Sequence, residues 1–216
     1  MKEKQLDELK LTGALPSPTG VGLAILELTR GEDYAMGDVT RAIQSDPALT
    51  GRIIKIANSA GFAGSQGVSS VAQAAMRLGV RSVRNVALGF TLVSGNRGGS
   101  CPGFDYEGYW ARSLAVAVLS QRLAEALRLC APADAFTCGL LSGIGTLALA
   151  SIHPDRYAQL LERKRATPAA ELLHLEREIF DLDHCELAGA MLADWRLPDS
   201  FCFAVTAFER RDPYSG

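Results

Sequence analysis

Hydrolysis at a protein-bound metal needs several nitrogen or oxygen ligands brought to one point, so histidines and carboxylates are the first residues to weigh. The 216-residue chain has three histidines, His153, His174 and His184. No two stand three or four apart and no HExxH occurs, so no helix carries an imidazole pair on one face. His153, just before Pro154, suits a capping or surface role, and His174, between Leu173 and Leu175, reads as semi-buried or facing solvent. His184, in DLDHCELAG beside Asp181, Asp183 and Glu186, is the best ligand candidate. Nucleophilic catalysis has no support, because GxSxG is absent and no cysteine carries an activating signature. Cys101, Cys130, Cys138, Cys185 and Cys202 form no CxxC pair and read as core thiols of a reducing cytosol. The glycine-rich GNRGGS lacks the lysine and following helix that a phosphate-binding loop requires.

One stretch raises the question of lost chemistry. LLSGIGTLALA, Leu140 to Ala150, is apolar all round and predicts the buried central helix of the fold, yet its polar positions hold only Ser142 and Gly143.

The elements that must position these residues read as helices throughout. Period-two alternation is scarce, whereas apolar residues recur at helical spacing. After LPSPTG, Val21 to Leu28 begin a helix that Gly31 should stop, and a short one follows over 36–44. Ser45 or Asp46 can cap a third helix opened by Pro47, with Leu49, Ile53, Ile56 and Ala57 inward and Gly61 and Gly64 at its end. Ser69 or Ser70 can cap the next, bearing Val71, Ala74, Ala75 and Leu78. Gly79 then turns a tight corner into a helix with Val83, Val86, Ala87 and Phe90 inward. Helix, glycine corner and helix is also the outline of a DNA-reading module, but the outline is common in all-helical proteins. Residues 95–104, GNRGGSCPGF, predict a loop between two lobes. Helices are expected over 105–128, 134–151, 154–165, 168–178, 183–194 and 198–208, for ten or eleven in all. No run of about 18 apolar residues and no secretory signal is read, and a soluble cytoplasmic protein is expected.

Net charge is −2, but it is unevenly spread. Residues 41–97 carry seven basic side chains against Asp46 alone, whereas 1–40 and 98–216 are acidic. The basic segment suits either an anion or acidic partner, or its own acidic neighbour.

The ordered segments LPSPTG, SDPALTGRIIKIANSAGF, VSSVAQAAMRLGVRSVRNVALG, YWARSLAVAVLSQRLA, GLLSGIGTLALASIHPDRY and EREIFDLDHCELAGAMLADWRLPDSFCFAV resemble the HDOD family, the HD-related output domain of bacterial signalling proteins. The resemblance implies an all-α, two-lobed fold. Residues 1–97 would form the HDOD-specific helical lobe and 98–216 a degenerate HD-phosphohydrolase-like lobe, together one domain over about 14–209, with no fused catalytic domain after it. It also implies a vanished metal site. Relatives carry His-Asp-Ile-Gly where this chain reads Ser142-Gly143-Ile144-Gly145, a histidine where Arg112 stands, and a His-His pair where Phe208-Glu209 stand. His184 alone keeps the family's histidine, and a fixed guanidinium at Arg112 would repel a metal.

The implied function is a non-catalytic regulatory module acting through protein contacts, in cyclic-di-nucleotide, motility or virulence signalling. The implied partners are a diguanylate cyclase, phosphodiesterase, receiver or kinase component, with no cofactor, no metal, no nucleic acid and no membrane insertion. Two alternatives stay open: a nucleotide sensor using the vestigial pocket with Arg112 as counter-charge, and a metal-dependent phosphohydrolase. Arg77, Arg81 and Arg84 are the candidate partner- or anion-binding surface. Structural roles are expected for Asp46, Pro47, Asn58, Ser59, Leu78, Gly79, Trp110, Gly145, Trp195 and Pro198. Asp46 would cap, Asn58 and Ser59 would tie down the following loop, Trp110 would join the lobes, and Arg112 would pair with an internal acid or else meet a ligand.

Overall fold

The computed structural model describes residues 7–9, 11, 13, 15–17, 20–29, 34–58, 67–165 and 172–208. Among them are twelve helices of eight residues or more: α1 Gly20–Leu28, α2 Met36–Gln44, α3 Pro47–Ala57, α4 Val71–Leu78, α5 Val80–Gly95, α6 Tyr106–Leu127, α7 Pro132–Leu141, α8 Ile144–Ile152, α9 Pro154–Lys164, α10 Leu172–Phe180, α11 His184–Asp194 and α12 Asp199–Ala207. The fold is all-α, as the periodicity predicts.

Local chemistry sets most of the boundaries. Asp46 accepts from the backbone N–H groups of Ala48 and Leu49 at 2.9 and 3.0 Å, and Pro47 opens α3 behind it. Ser70 caps α4 by accepting from Gln73 N–H. Gly79 separates α4 from α5 at φ +80°, a backbone state that disfavours any residue with a Cβ. At the end of α3, the Asn58 amide donates to the Val68 carbonyl at 2.7 Å and accepts from Val68 N–H at 2.8 Å, so one side chain bridges the two ends of the 59–67 segment. Ser59, Gly61 and Gly64 lie outside the described residues; α3 itself ends at Ala57, before those glycines.

The buried side chains gather in two cores. One joins Ile25, Val39, Ile43, Leu49, Ile53, Val71, Val83 and Val86; the other runs from Leu88 and Leu92 through α6–α12. Helix α5 has a face in each, so it connects the cores rather than belonging to one. Asn85 on α5 donates to Asp134 on α7 at 2.7 Å, and the Trp110 indole donates to the Asn96 carbonyl at 2.8 Å, tying α6 to the end of α5.

The expected single helix over 134–151 is broken. α7 ends at Leu141, Ser142 and Gly143 form a turn, and α8 begins at Ile144. Hydropathy hides this break, because both halves are apolar. It also makes Asp134–Ile152 long and apolar enough to cross a membrane, contrary to the reading that no run reaches that length. About two thirds of that window (67%) is buried within the protein, so it is a core element. The expected 168–178 helix is observed at Leu172–Phe180, its proposed start lying outside the described residues. Phe90 is only partly buried and lies under the Arg52 guanidinium, 4.8 Å from its ring centroid.

Two glycines allow the second core to close. A Cβ at Gly139 would stand 2.8 Å from the Ala117 Cα, and one at Gly145 would stand inside the His184 carbonyl oxygen. Backbone cannot yield as a side-chain tip can. Gly145→Ala is therefore expected to cost about 1–3 kcal/mol or more in urea unfolding, as overpacking does. Gly51→Ala, on the exposed face of α3 with open space around it, should be neutral or raise stability by about 0.4–1 kcal/mol.

Candidate functional site

Three elements converge at the positions that the family resemblance marks as a metal dyad: the first half of α6, the α7–α8 break and the start of α11. The break delivers Ser142 and Gly143. The buried Ser142 hydroxyl donates to the Gly139 carbonyl at 2.9 Å, the ordinary behaviour of a serine near a helix end. Gly143 has no side chain, and a Cβ built there would lie 3.2 Å from the Tyr109 ring. The space beside Gly143 is filled by that ring, which also meets Trp110 edge-on at 4.8 Å and Phe104 at 5.7 Å. Burial pushes the Tyr109 phenol far above its ordinary range. Its hydroxyl finds no partner in hydrogen-bonding geometry; Ser113, one turn on, is a polar neighbour without closing that bond.

α11 delivers His184, but into a different structure. Asp183 and Glu186 form a reciprocal capping box at its start, and Arg177 of α10 reaches Asp183 at 2.6 Å and Glu186 at 3.3 Å. The His184 Nδ1 lies 2.5 Å from Glu176 Oε2, which also accepts from the His184 backbone N–H at 2.9 Å. The Tyr157 hydroxyl donates to the other Glu176 oxygen at 3.3 Å. Glu176 is 0% exposed and His184 1%, so a buried carboxylate is held by three donors from two other segments. Burial, then the adjacent Glu176 carboxylate, holds the Tyr157 phenol protonated, well above its usual range. Sequence reading singled out His184 and overlooked Glu176. Eight residues separate the pair across the α10–α11 turn, a distance no helical spacing flags.

The remaining positions disperse. Arg112 is exposed, makes no ion pair among the described residues and lines neither apolar groove described below. Arg77 is half-buried and donates to the Ala57 carbonyl at 3.2 Å, with Asn58 Oδ1 at 3.5 Å. Arg84 is half-buried beside Arg81 and Asp134, its Nε without a hydrogen-bond partner; burial and then the Arg81 charge lower its pKa. Only Arg81 of the three is exposed. Burial raises the Asp134 pKa, against the pull of Arg81, the Asn85 amide and Arg84. The basic segment thus meets an acid of the following half at the α5–α7 contact. His174 is exposed, while His153 stacks on Phe180 at 5.4 Å. Trp195 is partly buried against the second core, and the Pro198 carbonyl accepts from Phe201 N–H in the first turn of α12. Leu78 is partly buried against the first core. Phe208 is half-exposed, and Glu209 lies outside the described residues.

Two apolar grooves flank α6. The first, about 590 Å³, is bounded by Ser120, Cys138, Ser142, Phe201, Phe203 and Phe208. The second, about 530 Å³, lies between α4–α5 and α6–α7, bounded by Arg77, Leu78, Val86, Gln121 and Phe136 among others.

The donor set does not fit a metal dyad. One hydroxyl is spent on a carbonyl, one position has no side chain, an aromatic ring fills the gap, and the histidine is bound by a buried glutamate. Among the described residues no three His, Cys, Asp or Glu side chains are grouped to hold an ion.

The profile of the HDOD domain matches residues 15–210. An uncharacterized protein of Treponema pallidum (strain Nichols) is 28% identical over 191 residues, covering 81% of this chain and 34% of its own length, so the chain spans about a third of that relative. The MmoQ response regulator of Methylococcus capsulatus strain Bath is 38% identical in solved structure, with a TM-score of 0.52 over 90% of this chain and 76% of its own. A Shewanella amazonensis SB2B protein, provisionally assigned as a phosphohydrolase, is 25% identical with a TM-score of 0.72, over 98% of this chain and 75% of its own.

Two measurements test the buried arrangement. Glu176→Ala strands the His184 backbone N–H, its ring and the Tyr157 hydroxyl, and is expected to cost about 3–5 kcal/mol in denaturant unfolding. For His153, burial and then Arg156 lower the folded pKa below 6.5. The folded state therefore favours the neutral ring, and this contribution is full at neutral pH and lost as pH falls through 6.5 towards the lower folded value. Wild type should lose melting temperature relative to His153→Gln over that window.

Proposed function

The chain belongs to the HDOD domain family, and from that premise we propose that it is a signal-transduction module that works by binding other proteins rather than by catalysis. The observation that carries the reading is the filled dyad position, with Tyr109 packed over Gly143 and the Ser142 hydroxyl committed to Gly139. Binding surfaces are supported by what remains: two open apolar grooves and a run of exposed leucines along α6. Resemblance to a response regulator supports a place in bacterial signalling. The finer reading is a cytoplasmic module, with lobes at 1–97 and 98–216, in cyclic-di-nucleotide, motility or virulence signalling. Its partner would be a diguanylate cyclase, phosphodiesterase, receiver or kinase component.

The nucleotide-sensing alternative relied on Arg112 as a counter-charge inside the old metal position. Arg112 instead stands in solvent on α6, and the three atoms nearest a Cβ at Gly143 all belong to Tyr109.

The test combines elemental analysis of the purified protein with turnover of a generic phosphodiester, bis-p-nitrophenyl phosphate, in manganese, magnesium or iron(II). The expected result is substoichiometric metal and hydrolysis no faster than with Tyr109→Ala or with buffer. Stoichiometric metal with turnover that Ser142→Ala abolishes would overturn the proposal. A thermal-shift series with cyclic dinucleotides should leave melting unchanged.

A further inference from the structure

We infer that the α6–α12 groove and the leucine face beside it receive an amphipathic helix of a partner protein, with acidic residues along the edge that lies over α6. The inference rests on the reading of the chain as a contact module and names the chemistry of the contact.

Ser120 places the groove on one side of α6. Val116 stands four residues before it, and Leu123 and Leu127 stand three and seven after it, so all four share that side. Leu119 widens the strip outward. Leu119, Leu123 and Phe203 are 62%, 58% and 76% exposed, values far from those of a packed face. Val116, Leu119, Leu123 and Ala126 follow three-four-three spacing, the periodicity that meshes with another helix. Phe203 and Phe208 form the opposite wall, and small residues such as Gly139 and Ser142 line the space between. A trough walled by phenylalanines of α12, with three serines and Asp134 in its lining and an exposed leucine strip on α6 beside it, takes the apolar stripe of a helix.

Charge selects which helix. Along α6, Arg112 and Arg128 are exposed and make no ion pair among the described residues. Arg122 is 60% exposed while holding Glu125 at 3.0 Å, and Gln121 also donates to Glu125. The leucine side of α6 therefore presents Arg112, with Arg122 further round the helix, whereas the groove lining includes Asp134 and the α12 lip presents Asp199. A second copy docking through α6 would bring this basic edge against itself. A helix with glutamates or aspartates over Arg112 and Arg122 meets it with opposite charge.

The test uses two synthetic helical peptides with the same leucine stripe, one flanked by glutamate and one by lysine, titrated by fluorescence anisotropy against the full chain. The glutamate peptide should bind at least about tenfold more tightly than the lysine peptide, with the difference shrinking in salt. Leu123→Glu, an exposed change whose fold is checked by circular dichroism, should weaken it by about tenfold or more. The double variant Arg112→Glu, Arg122→Glu should erase or reverse the preference. Equal affinity for both peptides, or no binding by either, overturns the inference. So does a concentration-dependent dimer in sedimentation that Leu123→Glu dissociates, which would assign the face to a second copy. None of these readouts involves metal or turnover, so their failure is distinguishable from failure of the non-catalytic reading.

Discussion

The second core depends on how closely α8 can approach its neighbours. Gly143 admits the Tyr109 ring, and Gly145, one residue beyond Ile144, admits the backbone of α11 at His184. The contact at Gly145 needs the absence of a Cβ, whereas at Gly143 a Cβ would sit tightly at 3.2 Å and ask the Tyr109 ring to give by a few tenths of an ångström. Gly145 matches the glycine that the resembled motif also carries, so it serves packing alone, whereas Gly143 stands where that motif has its aspartate and leaves no ligating atom there. Only at Gly143 do the Tyr109 contact and the missing ligand coincide.

The buried Glu176–His184–Tyr157 group gains its meaning from that packing. A histidine at the start of α11, considered alone, looks like a surviving ligand. Bound through Nδ1 to a fully buried carboxylate, with a tyrosine on the carboxylate's other oxygen, it becomes part of the joint between α10, α11 and α9. Such a group costs desolvation and specifies one arrangement, because a half-satisfied version would leave charge or donors stranded. The Asn85–Asp134 bond plays a lesser role of the same kind between α5 and α7, where a basic stretch of sequence meets an acid of the following half.

Much of this was legible in the order of residues, for local reasons. Caps act within one turn, so the sequence narrows them to Ser45 or Asp46 and to Ser69 or Ser70, of which Asp46 and Ser70 cap, and Gly79 marks its corner by a positive φ. Residue chemistry alone singles out Ser142, Gly143 and His184, and the family resemblance adds the vanished metal site that they imply. What escaped was non-local or masked by apolar composition. The break at Ser142–Gly143 lies inside a continuous hydrophobic run, so periodicity reads through it. Glu176 meets His184 only after the chain turns between helices. Arg77, Arg81 and Arg84 share a helix-like spacing, yet Gly79 intervenes between the first and the others, and their side chains take three different environments. Tyr109 was one aromatic residue among several near Trp110; its place over Gly143 depends on the approach of α6 to α8, which no spacing encodes.

The most direct measurement of the central claim is an anomalous-difference map from crystals grown with manganese. The account predicts density for Tyr109 over Gly143 and no anomalous peak within coordinating distance of Ser142 or His184. A peak there, with the Tyr109 ring swung aside and the His184 imidazole turned from Glu176 to the ion, would contradict it.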